Sequence, residues 1–370
     1  MGGSGVISGV MAKLAALREG GSRSRSAGLF GCMLAAVVAH ASPAQACTAT
    51  GTSPTAPIVS DLGSYSPPAV KAGAVPALRS KAGLTCDPSL IVVLGINYIK
   101  AKFKSDNVLK LVGPGGHALS YVASADPSGS VPFTQNGTVD YMQNNLLNVL
   151  GLLGGSSAEL PFFVRPASGT LPPAGTYKDR VTIVWDWYLC PGIGATPLIC
   201  LGTPTRGTAT SYIDISVTVA AKQLTITTQS VTRWDPVNFA VRPRAVPGSR
   251  RRATISVTNP DLVAMDLNSV SVVVPIAAAE ELSLAGDGTS PTVIAFADGS
   301  PASGLTLTYA GPDSTADDVD FSADGGASWG HVPVAGAATP GSRVTNVRLR
   351  PRGAMAAGSS FSVQLATSVR

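Results

Sequence analysis

The stretch that decides the fold is PAGTYKDRVTIVW, residues 173–185. It joins a turn containing Pro and Gly to a run of β-branched and aromatic residues, which is the composition of a β-strand. Gly175 allows a sharp turn, and the ring of Tyr177 can cover the end of a β-structure there while its hydroxyl bonds the backbone. The stretch therefore predicts a long strand entered through a corner that carries a tyrosine.

Composition extends this prediction to the whole chain. The 370 residues include 40 Gly and 28 Pro, and charged residues make up only 13%, a mix that favours many short strands joined by turns. The predicted fold class is all-β, and only residues 144–153 lean towards a helix. Further strand candidates, separated by Gly, Pro or Asn turns, are 89–94, 96–103, 212–219, 224–229, 253–258, 269–275, 304–309, 319–322, 344–349 and 359–366.

The first 46 residues are typical of an export signal. Basic residues precede an apolar run at 27–41, which is followed by the small-residue motif Ala44-Gln45-Ala46, as in cleavable signals. We expect cleavage after Ala46 and an exported chain, with acylation of Cys47 left open. No later run approaches the roughly 18 uninterrupted apolar residues of a membrane helix, so no transmembrane segment is expected.

Net charge gives little support for nucleic-acid binding, which needs a concentrated basic face. Four of the 27 basic residues and one of the 22 acidic ones lie in residues 1–46, so 23 and 21 remain after cleavage, a formal charge near +2. The one basic run, residues 250–252, is better explained as a solvated turn or strand edge. No nucleic-acid partner is expected.

Four cysteines remain after the signal: Cys47, Cys86, Cys190 and Cys200. An even number in an exported chain indicates disulfides, and four cysteines allow three connectivities. The short separation of Cys190 from Cys200 favours a local pair, which leaves Cys47 for Cys86. A zinc site is disfavoured because no Cys-x-x-Cys pair is present. No metal or cofactor is expected.

The exported part is longer than one hydrophobic core usually serves, so two domains are expected. We place their boundary near residues 220–222, where one predicted strand ends and another begins. All four cysteines lie on the N-terminal side of that boundary. The predicted organisation is a signal peptide at 1–46 and two consecutive β-sandwiches, at 47–221 and 222–370.

Several motifs of the first domain are similar to those of the spore coat protein U family. The corner and strand at 173–185 resemble its Gly-Thr-Tyr-x-Asp signature through Gly175, Tyr177 and Asp179. Further features similar to its tip-type members are a cysteine at the mature N-terminus, LTC at 84–86, LGINYIKA at 94–101, and WDWYLCPGIG at 185–194, which closes at Cys200. The resemblance covers residues 47–221.

Members of this family resemble subunits of archaic chaperone–usher pili. The resemblance implies an immunoglobulin-like sandwich completed by β-strand complementation, with a periplasmic chaperone, an usher and pilin subunits as partners. A mature chain that starts at Cys47 has no donor segment ahead of its first cysteine. This argues for a subunit that accepts a strand without donating one, the position of a pilus tip. Alternatively, the strand at 212–219 completes the first sandwich within the chain.

Residues 222–370 have no cysteine and depart from that pattern. They resemble a conserved-repeat, immunoglobulin-like domain of bacterial surface proteins through DPVN at 235–238, AVPG at 245–248, ATISVTN at 253–259 and VTNVRL at 344–349. This resemblance implies a spacer and leaves incorporation into a pilus open.

Catalytic and metal-binding motifs are not apparent in the sequence. His117 and His331 lie in turns without a nucleophile elbow, so no enzyme is expected. A cluster of aspartates lacks the spacing of a calcium loop and fits a solvated hairpin better. Its members are Asp317, Asp318, Asp320 and Asp324.

The apolar segment LLNVLGLLGG at 146–155 allows two interpretations. It is either a buried strand or short helix, or an exposed loop at the tip of the first sandwich that binds a hydrophobic surface. Contiguous exposed apolar patches are uncommon unless they bind something. On the second interpretation the candidate surface-binding residues are Leu146, Leu147, Leu150, Leu152, Ile193 and Leu198.

The leading hypothesis is a secreted, adhesin-like or pilus-tip-like structural subunit that acts by surface binding. One alternative is a coat or envelope spacer, which would have no accessible apolar patch on its first domain. Another is a carbohydrate-binding module, which would need solvent-facing aromatic rings, with Trp185, Trp187 and Trp329 as candidates. Trp185 and Trp187 share one face of a strand, where core or rim packing is favoured.

Overall fold

The computed structural model describes residues 46–88, 96–143, 146–152, 158–190, 200, 202–335 and 343–370. Strands dominate these ranges, so the all-β prediction is confirmed. The predicted signal peptide lies outside the described residues except for Ala46. None of the helices in the described ranges has the length and apolar character needed to span a membrane.

The described chain up to residue 219 contains ten strands and two short α-helices. The helices are α1 (Pro67–Ala72) and α2 (Leu146–Val149). The strands are β1 (Cys47–Ala49), β2 (Ile58–Tyr65), β3 (Leu78–Cys86), β4 (Tyr98–Ser105), β5 (Lys110–Val112), β6 (Ala118–Ser124), β7 (Thr138–Asp140), β8 (Ala158–Pro166), β9 (Gly175–Leu189) and β10 (Thr205–Val219).

These strands form one continuous hydrogen-bonded sheet that encloses the first core. Strand β6 pairs with β8 on one side and β5 on the other, which links the order β1-β3-β8-β6 to β5-β9-β10-β2, and β4 pairs with β9 and β7. The sheet surrounds a single cluster of buried apolar residues. Trp185, Tyr141, Phe103 and Phe162 are among its largest fully buried side chains.

The edge of this sheet at β10 is closed by the chain itself. Strands β9 and β10 pair antiparallel along their full length, from Gly175 opposite Val219 to Leu189 opposite Thr205. On its other side β10 pairs in parallel with β2. Since both edges of β10 have partners from the same chain, this part of the first sandwich needs no strand from outside.

The described chain after residue 219 has eight strands in two sheets. Strand β18 pairs with β12 on one side and with β14 and β15 on the other, and β11 pairs with β12. The second sheet has the order β13-β17-β16. The strands are β11 (Thr225–Trp234), β12 (Arg250–Thr258), β13 (Val272–Pro275), β14 (Glu280–Leu282), β15 (Ile294–Asp298), β16 (Val319–Ser322), β17 (Asn346–Leu349) and β18 (Ser360–Val369).

The second core is separate from the first. Its buried apolar residues lie between Ile255 and Leu365, whereas those of the first core end at Val219. Side chains from both sheets contribute, among them Val257 on β12, Leu349 on β17 and Phe361 on β18. The predicted boundary at 221/222 falls between the two cores and stays a prediction.

Candidate functional site

The corner that opens β9 is built as its sequence predicts. The ring of Tyr177 is fully buried, and its hydroxyl donates a hydrogen bond of 2.8 Å to the carbonyl oxygen of Pro173. Gly175 has a φ of 149°, and a Cβ on it would lie 2.4 Å from the ring of Pro114. This position therefore requires glycine.

Asp179, the third motif residue, ties three strands together. Its buried carboxylate accepts hydrogen bonds from the hydroxyls of Ser105 (2.6 Å) and Tyr121 (2.7 Å) and from the backbone N–H of Asn107 (3.1 Å). Burial and the bond to Asp179 raise the pKa of Tyr121, so its hydroxyl stays a donor. Gly175, Tyr177 and Asp179 are thus structural residues of the first sandwich.

The structure contains both predicted disulfides. Cys47 and Cys86 are register partners on β1 and β3, and their bond fastens the edge strand. Cys190 bonds to Cys200 at the end of β9. Residues 191–199, which include the candidate surface residues Ile193 and Leu198, lie outside the described residues.

Of the two interpretations of the leucine segment at 146–152, the exposed surface-binding patch is wrong. Leu146 and Leu147 are each 2% exposed and Leu152 is 7% exposed, while Leu150 packs partly buried against the first core. Burying such side chains is strongly favourable, and the short helix α2 turns them towards the core. The buried alternative for this segment is the one that the structure adopts.

The acidic cluster near the C-terminus is internally paired. Asp320 contacts Arg348 and Arg350, both within 3.0 Å, and Asp318 contacts Arg352 at 2.6 Å. Pairing with arginines satisfies these carboxylates without a metal ion. Among the described residues, no three His, Cys, Asp or Glu side chains are grouped to hold a metal ion.

The basic run at 250–252 is not a solvated edge, which corrects the expectation from its sequence. Strand β12 has hydrogen-bonded neighbours on both sides, β11 and β18. Arg251 pairs with Glu280, and Arg252 forms a buried pair with Asp287 at 2.8 Å. Two of the three charges are therefore neutralised inside the fold.

An uncovered strand face lies on the second sandwich. Opposite residues of paired strands point to the same side of a sheet, and Ile226 and Thr228 of β11 lie opposite Val257 and Ile255 of β12. Both β12 residues are buried in the core, so Ile226 and Thr228 point to the inner side as well. Ile226 is nevertheless 54% exposed, because the facing sheet ends at β13.

A cleft of about 350 Å³ occupies the space beside β13. Its floor is formed by Ala253 and Ile255 on β12 and Leu365 on β18, and one wall by Val274 and Ile276 at the end of β13. Strand β13 pairs with β17, and no strand of the described chain lies along its other edge. A free backbone edge above an apolar floor has the geometry of a missing strand. We call it the acceptor groove.

Two polar atoms near the acceptor groove are buried without partners in the described chain. Thr367 lies opposite Arg251 in the β12–β18 ladder and is 2% exposed. Within the described chain, the Oγ1 atom of Thr367 and the Nε atom of Arg251 have no hydrogen-bond partner. Buried polar atoms are nearly always paired in folded proteins.

No model of a protein family matches the sequence, and no curated protein matches it. Among solved structures, the chain is similar to the CsuC-CsuE chaperone-tip adhesion subunit pre-assembly complex from archaic chaperone-usher Csu pili of Acinetobacter baumannii. The identity is 14% and the TM-score 0.36, over 86% of this chain and 94% of that chain.

Two further structures are more distant. A putative membrane anchored protein from Corynebacterium diphtheriae has 9% identity and a TM-score of 0.20, over 87% of this chain and 50% of that chain. The C-terminal domain of the Streptococcus agalactiae AgI/II polypeptide BspA has 9% identity and a TM-score of 0.16, over 79% and 84%. Likenesses at these identities and TM-scores do not assign a function.

Proposed function

We propose that the protein is an exported, non-enzymatic structural subunit of a cell-surface assembly, of the adhesin or pilus-tip type, which accepts a β-strand from another protein in its second sandwich. The acceptor groove carries this proposal. An inner strand face that is half exposed, beside a free strand edge, is the arrangement that β-strand addition completes.

The occupant is an extended segment that lies between β11 and β13. Its backbone hydrogen-bonds to the free edge of β13, and alternate side chains enter the groove over Ala253, Ile255 and Leu365. These are small or branched apolar surfaces, so the matching segment carries apolar residues at every second position. Its entry also covers Ile226, which removes apolar surface from water.

The first sandwich has a different role in this proposal. Its strand β10 is paired on both sides, by β9 and β2, so no strand from outside is needed there. With the signal cut after Ala46, the mature chain starts within β1, where Cys47 is bonded to Cys86. Such a subunit accepts a strand and donates none, which places it at the end of an assembly.

The carbohydrate-binding alternative loses two of its three candidate residues. Trp185 is fully buried and Trp187 is 6% exposed, so neither presents a ring to a sugar. Trp329 is half-buried, and the guanidinium of Arg348 lies 4.5 Å from its ring centre. The burial of Leu146 and Leu147 favours the spacer alternative, which expects no accessible apolar patch on the first domain. A strand-accepting spacer and a strand-accepting tip are both surface subunits.

Binding of a donor peptide tests the proposal. A fluorescent peptide of about ten residues, with Val at alternate positions and Thr or Lys between them, spans about 33 Å when extended. We expect saturable binding by fluorescence anisotropy, and none for the same residues in a scrambled order. The variant Ile226→Asp places a charge on the inner face of β11 and weakens binding at least about tenfold.

Val231→Asp is the matched control, because Val231 is also exposed on β11 but lies opposite Arg252, on the outer face. It leaves peptide binding unchanged. Equal binding of the ordered and scrambled peptides, or equal loss of binding in both variants, contradicts strand acceptance by the groove.

A further inference from the structure

A second exposed feature lies in the connection from β11 to β12, residues 235–249, which we call the tip loop. Val237, Phe239 and Val241 within it are 74%, 61% and 75% exposed. Three large apolar side chains so exposed within five residues form a patch, and such patches are uncommon unless they bind something. The loop is also much longer than the two to five residues, roughly, that join most hairpins.

The tip loop is ordered by the carboxylate of Asp235, which has no exposed surface. This carboxylate accepts hydrogen bonds from the backbone N–H groups of Asn238 (2.5 Å), Arg244 (2.5 Å) and Val237 (2.8 Å). Asp235 and Phe239 also exchange two backbone hydrogen bonds, of 3.0 and 2.9 Å. The apolar side chains are thus presented from a fixed backbone, and no further ordering is needed on binding.

The base of the tip loop is fixed as well. The ring of Phe239 lies edge-on to that of Trp234, at 6.0 Å between ring centres. Trp234 rests on Gly288, where a Cβ would lie 2.5 Å from that of Trp234. Phe239 has a φ of 56°, a conformation that a bulky residue keeps only when its surroundings hold it there. Aromatic packing and the Asp235 clamp provide that support.

Several backbone N–H groups of the tip loop are bonded within the loop, which lowers the cost of moving them out of water. The N–H groups of Val237, Asn238 and Arg244 reach the Asp235 carboxylate, and that of Val241 reaches the carbonyl oxygen of Asn238 at 3.1 Å. In lipid, unpaired backbone groups are costly, so a segment that enters a bilayer must pair them itself. A loop built only for water has no such requirement.

The exposed charged residues of the tip loop and of the strand end before it are of one sign. Arg233, Arg242 and Arg244 are exposed, and among the described residues none of them forms an ion pair. A fourth cation, Arg250, lies over the ring of Trp234 at 5.4 Å. Asp235 is the one acidic residue in the loop, and it is buried and bonded. The patch is therefore an apolar tip with an arginine rim.

We propose that the tip loop docks the protein on an anionic lipid surface, with Val237, Phe239 and Val241 in the acyl boundary and the arginines at the headgroups. Apolar side chains flanked by basic ones are the combination that binds anionic membrane interfaces. The apolar side chains protrude, whereas a pocket for a sugar or a small ligand is concave. This site is distinct from the acceptor groove and goes beyond strand acceptance.

Vesicle binding tests the proposal with the complete exported chain. Vesicles of phosphatidylcholine mixed with phosphatidylglycerol are compared by sedimentation with vesicles of phosphatidylcholine alone. We expect binding to the mixed vesicles that weakens as salt is added, and weaker binding to the neutral ones. The double variant Val237→Ser, Phe239→Ser weakens binding at least about tenfold, and Arg242→Ser with Arg244→Ser weakens it several-fold.

Matched controls are Leu267→Ser, which removes an apolar side chain that is 72% exposed elsewhere, and Lys222→Ser, which removes an exposed cation. Both leave binding unchanged, and melting curves check that every variant folds. Equal binding of loop variants and controls overturns the proposal, as does the absence of binding to mixed vesicles at low salt. Equal binding to neutral vesicles overturns the role of the arginines.

Discussion

Ile226 and Val257 lie opposite each other in the β11–β12 ladder, yet Ile226 is 54% exposed and Val257 is fully buried. Both side chains point to the inner side of their sheet, so the difference in their exposure depends on what covers each of them. The second sheet ends at β13, whose last residues line one cleft with Ala253 and Ile255 of β12 and Thr228 of β11. The inner face of β11 is therefore left uncovered by the partner sheet. This uncovered face is the physical basis of the proposed strand acceptance.

The tyrosine corner is expected to stabilise the first sandwich modestly. Tyr177→Phe keeps the buried ring and removes the hydrogen bond to the Pro173 carbonyl. One such bond is worth about 0.5–1.5 kcal/mol, which corresponds to a decrease of a few degrees in Tm. Thermal unfolding followed by circular dichroism measures it, and an unchanged Tm would show that the hydroxyl contributes nothing.

Because the leucines at 146–152 are buried, truncating one of them is expected to lower the free energy of unfolding strongly. Leu147→Ala removes a side chain that is 2% exposed and lowers the free energy of unfolding by about 2–5 kcal/mol. Leu171→Ala, at a leucine that is 56% exposed, changes it by less than about 0.5 kcal/mol. Urea unfolding of both variants distinguishes core from surface, and equal stability of the two contradicts the buried placement.

Reduction of the disulfides is expected to act on the first sandwich alone. Both bonds lie before residue 201, and residues 222–370 contain no cysteine. Loss of the Cys47–Cys86 bond lowers the free energy of unfolding by about 2–4 kcal/mol. Calorimetry is therefore expected to show that reductant lowers the temperature of one unfolding transition and leaves the other unchanged. Recovery of a Cys47–Cys190 peptide from non-reduced protein would rule out this pairing.

The sequence predicts strands well where the local pattern is strong. Strand β16 occupies residues 319–322 as expected, and the long strand predicted from residues 173–185 is β9, which begins at Gly175. Residues 304–309 form no strand, only an isolated bridge from Thr306 to Arg352. Strand β2 is absent from the predicted strands, because among the described strands its one pairing partner, β10, lies far along the chain and leaves no local signal.

The candidate sites were harder to predict, for two physical reasons. The acceptor groove depends on where one sheet stops relative to another, and no residue pattern in β11 or β13 records that relationship. The tip loop does carry a local signal, since four of the five residues of VNFAV at 237–241 are apolar and the run is flanked by Pro236 and Arg242. The leucine run at 146–152 was more apolar, and its helix packs inward for that reason.

Acid is expected to loosen the tip loop. The backbone N–H groups of Asn238 and Arg244, with further bonds from Asn238 and Val237, hold the pKa of Asp235 at about 2, against about 3.9 for an unfolded Asp. Since the native pKa is the lower one, this stabilisation is complete above about pH 4 and is lost as the pH falls through about 2.

The amide resonances of Val237 and Asn238 follow this titration by NMR. They are expected to shift with a midpoint near pH 2, and Asp235→Asn removes that transition. A midpoint near pH 4 would show that the carboxylate is not held by the loop.

Strand acceptance is tested most directly by supplying the missing strand in the same chain. A donor of about ten residues, with Val at alternate positions, is fused through a Gly-Ser linker after Arg370, close to the β18 residue Thr367 that lines the groove. The melting transition of the cysteine-free second half is then compared between this fusion and a fusion that carries the scrambled donor. The account predicts a Tm several degrees higher for the ordered donor, and slower hydrogen exchange in residues 272–276. The same Tm and the same exchange in both fusions would contradict it.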